Sequence, residues 1–225
     1  ILTPLIDAAV YGTVFGMLQG PNRPEHFIQF LIIGVFLFRV FTDCVSAGAR
    51  SIINSQALVQ SLSFPRAVLP LAVALEQFIN FIPVLIVMLL VNFVLEGGAT
   101  LNWLWLIPVL ILYGMFCIGV VLICARVAIH FRDITQIIPF ANRFMRYFSG
   151  VFYSPVVFVG SLPIVMALFT LNPVYAFMEL ARWALISGYN ISNEIVISGI
   201  VWAGITFIFG SIYFWAAEER YGRVD

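Results

Sequence analysis

The chain contains no lysine, and all eleven of its basic residues are arginine. A phosphate-binding loop of the Gly-Lys-Ser/Thr kind is therefore excluded, and so is a lysine Schiff base. If ATP drives this protein, another polypeptide must bind it. Charge of either sign is scarce. Only 10% of residues are charged against 62% hydrophobic, and the mean hydropathy is +1.05, more apolar surface than a water-soluble domain of this length needs. There are two histidines, His26 and His130. They fall at opposite ends of apolar runs, so they cannot form one metal site by themselves. The three cysteines, Cys44, Cys117 and Cys124, lie in apolar helical stretches. Cys117 and Cys124 are too far apart on one helix for a disulfide, and all three read as packing residues. No internal repeat is visible, and no connection is long enough for an independent domain.

What the chain has is apolar runs of about 20 residues, each able to cross roughly 30 Å of hydrocarbon. The expected fold is an all-α integral membrane protein. One transmembrane domain over 1–225 carries six spans, at about 1–19, 27–49, 68–95, 103–125, 140–159 and 195–217, with a re-entrant helical hairpin at 160–188 between spans five and six. The first run is too long and too poorly flanked for a cleavable signal peptide. The chain opens on Ile1 rather than Met, and a further N-terminal segment is expected before it.

The arginines set an orientation. With the N-terminus inside, Arg50, Arg66, Arg126, Arg132, Arg143, Arg146, Arg220 and Arg223 fall on the inner side. Arg23 and Arg182 fall outside, and Arg39 lies within span two. The same count shapes the segment 160–188. A single crossing there would place the tail outside. The parts before and after Asn172-Pro173 are each about 13 residues, too short to span, and Asn-Pro breaks a helix. A hairpin that dips in and returns meets both conditions. Broken backbone at membrane depth survives where protein buries it or water reaches it, so the hairpin is expected to serve an external gate.

Three stretches then resemble a known family. The first is Ser63-Phe64-Pro65-Arg66-Ala67-Val68-Leu69-Pro70. The second is Phe131-Arg132-Asp133-Ile134, with Tyr153-Ser154-Pro155 closing the following span. The third is Leu171-Asn172-Pro173 with Arg182 nine residues on. Their order and placement resemble the permease subunit of ABC type-2 polysaccharide exporters, the O-antigen and teichoic-acid family, across nearly the whole chain. The family's amphipathic N-terminal helix is not within this sequence and is expected before Ile1. The resemblance implies a homodimer in a bacterial cytoplasmic membrane, with both termini cytoplasmic. It implies two copies of a separate ATP-binding-cassette subunit that carries the ATP and Mg, with no cofactor, metal or catalytic residue on this chain. It also implies a polyprenyl-linked polysaccharide as substrate, with membrane lipid and no nucleic acid as partner. Spans one and five would line the path, and the loop between spans two and three would dock on the ATPase.

Particular residues fit those roles. Tyr11 and Phe15 share one face of span one, and Tyr147, Phe148, Phe152 and Tyr153 crowd span five. Aromatic faces with polar edges suit sugar rings, and they suit ordinary packing and interfacial belts equally. Arg143 and Arg146, three apart, share a helix face about one turn in from the inner side. They suit the pyrophosphate of a lipid carrier, or anchor the helix by snorkelling to headgroups. Phe64, Pro65, Arg66, Arg132 and Asp133 are candidates for ATPase coupling, beside a weakly amphipathic stretch at 51–62. Asn172, Pro173, Glu179 and Arg182 are candidates for the external gate, although Glu179 and Arg182 also suit a plain intrahelical pair. Asp7, Asp43 and Glu76 lie within spans, each needing a partner or water. Arg39 stands one turn from Asp43 to neutralise it, and Glu76 is placed for a helix interface.

Other functions remain in play. An ABC type-2 exporter of a drug or lipid would carry the same hairpin. An ion-coupled secondary transporter would use the acids as a relay, but would be expected to show inverted repeats. A membrane-embedded transferase would need acids or histidines converging near an interface, and the outer loops offer only scattered ones.

Overall fold

The computed structural model describes Ile6, Val10, 12–14, Met17, 26–56, 65–131, 133–160 and 162–216. Among the described residues every regular element is helical. Four helices are long and apolar enough to cross a membrane: α1 (Phe27–Arg50), α2 (Val68–Glu96), α3 (Leu106–His130, entered through a 3-10 turn at Leu101–Trp105) and α8 (Asn193–Trp215). Between α3 and α8 lie α4 (Ile134–Phe148), α5 (Pro155–Val159), α6 (Pro163–Thr170) and α7 (Pro173–Leu185). The bent pair α6 and α7 raises the number of candidate spans to five. Most of expected span one falls outside the described residues.

Helix α1 is the centre of the bundle. Its 24 residues reach about 36 Å at 1.5 Å per residue, and 78% of its most apolar stretch is buried. A helix buried on all sides has no need of a polar face. Helix α2 is peripheral, with 17% of its apolar stretch buried; its outward Leu75, Ile79, Ile82, Ile86 and Leu90 suit lipid. Phenylalanine fills the interior. Phe116 and Phe177 lie 5.1 Å apart, Tyr113 and Phe177 5.3 Å, and the Tyr113 hydroxyl donates to the Leu37 carbonyl at 2.7 Å.

Helices α3 and α8 touch backbone to backbone. A Cβ on Gly119 would run into the Thr206 carbonyl, and one on Gly210 would meet the Gly119 backbone. Small residues at facing positions let helices in lipid approach this closely.

The two ends of the bundle differ in charge. Gln29 donates to Glu96 at 2.9 Å, and the Ser187 amide donates to the same oxygen at 3.2 Å. These bonds gather the start of α1, the end of α2 and the end of α7 at an acidic end, together with Glu179 and Glu194. The opposite, basic end carries Arg50, Arg66 and Arg126. There Arg126 donates to the Tyr213 carbonyl and stands 3.8 Å from the centre of its ring, closing the last turn of α8.

The chain over 140–159 departs from expectation. It is not one helix. Helix α4 starts at the basic end, where Asn142 reaches Ser46 at 3.4 Å, and stops at Phe148. Gly150 takes φ +61, where a side chain is strained and would also press on Pro155. Ser154 is extended ahead of Pro155, which opens α5 at its first position. A bend therefore occupies the middle of the expected fifth span.

Candidate functional site

Helices α6 and α7 meet at 82°, at the Asn172-Pro173 step singled out in the sequence. Asn172 holds the bend on three sides, and Ser198 and Trp202 of α8 donate to the carbonyls of Thr170 and Leu171 beside it. The Asn172 side-chain oxygen accepts from the Val174 amide at 3.0 Å, the capping bond of α7. Its amide nitrogen donates to the Phe148 carbonyl at 3.1 Å and to Ser149 Oγ at 3.0 Å. The step is thus fastened to the end of α4. The two arms differ: α7 is buried from Val174 to Leu185 but for the half-buried Trp183, whereas Pro163, Ile164, Ala167 and Leu168 of α6 are exposed.

Arg182 was expected as an outer charge. It is instead 0% exposed, and Glu179 is 4% exposed. Arg182 Nη1 donates to Glu179 Oε1 at 2.7 Å. Its Nη2 donates to the carbonyls of Gly150 at 3.1 Å and Val151 at 3.3 Å, and its Nε donates to Phe30 at 3.3 Å. The guanidinium also lies 3.3 Å from the centre of the Phe30 ring. One side chain on α7 thereby satisfies two carbonyls of the broken backbone after α4, which lipid would leave unpaired. Gly34 makes room for it: a Cβ there would stand 2.6 Å from Nη2. The second Glu179 oxygen accepts from the Tyr189 hydroxyl at 2.8 Å. Burial, and then the Glu179 carboxylate, push the Tyr189 phenol well above its ordinary range, so it stays a donor. The cluster is a neutralised, hydrogen-bonded post at the acidic end.

The aromatic candidates divide. Tyr147 is 58% exposed, on a stripe with Ile137, Phe140 and Phe144 that α4 turns outward. Phe152 is 1% exposed and packs 6.0 Å from Tyr147. Tyr153 is half-buried, and its hydroxyl donates to the Tyr147 carbonyl at 2.9 Å. Phe148 stacks on Phe169 at 5.2 Å, so the cluster braces α6 against the bend. Arg143 and Arg146 also part company. Arg143 is exposed, 5.6 Å from the centre of the Phe140 ring. Arg146 is half-buried and stands 5.5 Å from that of Phe38. Phe38 is midway along α1, about 18 Å from either end, so Arg146 lies deeper than the single turn expected.

Similarity to known proteins places this architecture. The family model for ABC-2 type transporters matches residues 1–186. The chain belongs to the ABC-2 type transporter family. Two proteins of Klebsiella pneumoniae, each called O-antigen export system permease protein RfbA, are 26% and 29% identical over 155 and 159 residues. Each alignment covers 68% of this chain and 60% of the relative. A Myxococcus xanthus protein of the same name is 29% identical over 139 residues, covering 61% of this chain and 52% of the relative. The chain thus spans between about half and three fifths of the relatives it matches. As a member of this family with several long apolar helices, it is a multi-pass membrane protein.

The remaining candidates of this ABC-2 chain lie at both ends. Pro65 and Arg66 precede α2, and exposed Asp133 precedes α4, both at the basic end. Tyr11, Phe15, Asp7, Phe64 and Arg132 lie outside the described residues, as does most of the stretch 51–62 after its opening turns. Arg39 donates to Asp43 at 2.9 Å, the pairing their spacing implied. Glu76 is exposed and, with Asp43 and Arg50, lines a polar cleft of about 430 Å³ between α1 and α2. The cysteines are free. Sequence reasoning missed the acidic-end ties of Gln29 and Glu96, and the role of Gly34 beneath Arg182. The signal for Gly34 was a glycine in mid-helix, without a partner to explain it.

Proposed function

We propose that this chain is the transmembrane subunit of an ATP-driven exporter that moves a lipid-linked polysaccharide from the inner to the outer face of the bacterial cytoplasmic membrane. It would act as a homodimer with two copies of a separate ATP-binding-cassette subunit, which would carry ATP and Mg. The names of its relatives support the polysaccharide class at family level. The observation that carries the reading onto this chain is the outward stripe of α4, where Ile137, Phe140, Phe144 and Tyr147 stand beside exposed Arg143. Aromatic faces stack on the apolar faces of sugars, and a guanidinium fork suits the phosphates of a carrier headgroup. With a second copy opposite, two such stripes would line a path, and Tyr11 and Phe15 of the first span would extend it.

The basic end would face the cytoplasm, following the arginine bias. Phe64, Pro65, Arg66, Arg132 and Asp133 would then meet the ATPase. The α6–α7 pair would re-enter from the outer side as a hairpin gate. Its burial pattern supports α7, with Glu179 and Arg182, as the fixed post, and α6 as the arm that would yield about Asn172 and Pro173. The test is Arg143→Ala combined with Arg146→Ala. Loss of charge-assisted hydrogen bonds to phosphate should cut surface glycan by about tenfold or more at unchanged membrane abundance. Normal surface glycan would remove the headgroup role.

A further inference from the structure

A cavity of about 730 Å³ opens at the acidic end, between the 154–170 segment and the 186–195 connection. It falls within the roughly 300–1,000 Å³ usual for small-ligand sites. Its walls say what could occupy it. Ten of its nineteen lining residues carry a hydroxyl, amide, carboxyl or imidazole group and the other nine are apolar or glycine, a mixed lining that suits a ring with apolar faces and polar edges. Its floor is Glu179, held by Arg182 on one side and by the Tyr189 hydroxyl on the other. Its rim carries exposed Asn190, Ser192 and Glu194. Arg182 turns its donors to Glu179 and to three backbone carbonyls rather than into the space, no arginine among the described residues lines the cavity, and Glu194 opposes an anion. Those described walls favour a ligand without negative charge over a phosphate or other headgroup anion. Among the described residues no three His, Cys, Asp or Glu side chains are grouped to hold a metal ion. Hydroxyl, amide and carboxylate groups beside the rings of Tyr175 and Tyr189 match a polyhydroxylated compound without negative charge.

We propose that this cavity is a subsite for uncharged sugar units of the exported glycan, bound through their hydroxyls by Glu179, Tyr189, Asn190 and Ser192. The proposal rests on the export reading above and adds where and how the glycan is held. The subsite would be separate from Arg143 and Arg146, so one chain would handle headgroup phosphate and sugar hydroxyls at different places. The cavity is small, so it would take a short stretch of glycan, and successive units would exchange through it.

The test uses the whole complex in cells that make the glycan. A photo-crosslinking phenylalanine derivative replaces Asn190 in one strain, Ser192 in a second and the distant, outward Ile208 of α8 in a third. After irradiation the subunit is purified under denaturing conditions and its attached monosaccharides are measured. Carbohydrate should be joined at 190 and 192 and absent at 208. Tyr189→Phe, introduced beside the probe at 192, should lower the adduct by about fivefold, the worth of one hydrogen bond, without lowering membrane abundance. Deletion of the chain is scored in parallel by surface glycan. If surface glycan depends on the chain yet 190 and 192 carry no carbohydrate, the cavity proposal falls and the export reading stands. If surface glycan is indifferent to the chain, both fall. Equal carbohydrate at all three positions would also overturn the subsite, because it would show contact without a site.

Discussion

At the residue scale the molecule turns on Arg182. Spacing alone pairs it with Glu179, just as spacing pairs Arg39 with Asp43, and the structure has both ion pairs. The depth of Arg182 was not legible. Its other partners, Phe30, Gly150 and Val151, are distant in sequence, and no local pattern announces them. The lone arginine in an apolar run was the signal, read as an outer charge when it marked a buried post. A buried ion pair adds little over an apolar substitute, yet removing one partner leaves an uncompensated charge. Arg182→Ala should therefore destabilise the chain by about 3–5 kcal/mol, read as a lower thermal midpoint of the detergent-solubilised protein. Adding Glu179→Gln should recover part of that loss. A variant as stable as the parent would contradict the role given to Arg182.

At the element scale, apolar run length located α1, α2, α3 and α8, because hydropathy over about 20 residues is a strong signal. It misled over 140–159, where the run is mostly apolar despite Asn142, Arg143 and Arg146 but the backbone bends. Gly150 and the Ser154-Pro155 step were the available cues, and each is weak without knowledge that Arg182 supplies hydrogen bonds to the break. The close approach of α3 and α8 likewise rests on Gly119 and Gly210, whose meeting requires the fold. Gly119→Leu should force these helices apart. We expect at least about 2 kcal/mol of lost stability from overpacking, measured as reduced yield of folded protein and a lower thermal midpoint. Leu at half-buried Gly204, where a Cβ meets nothing within 4 Å, should be tolerated. Equal behaviour of the two variants would contradict backbone contact between α3 and α8.

At the scale of the whole molecule, the bundle has an acidic end holding the polar cavity and a basic end holding Arg50, Arg66 and Arg126. The arginine bias made that polarity readable from sequence; the cavity was not, since its walls come from four separate stretches of chain. Asn190→Cys should react with a membrane-impermeant maleimide added to intact cells, and Ser55→Cys only after lysis. The reverse pattern would invert the orientation and put the α6–α7 pair on the inner side.

The most direct measurement is to solubilise native membranes, purify this chain and identify what comes with it. The account predicts two ATP-binding-cassette subunits for each dimer of this chain. A clean homo-oligomer without an ATPase would contradict it, and would turn attention to Asp7, Asp43 and Glu76 as an ion-coupled route.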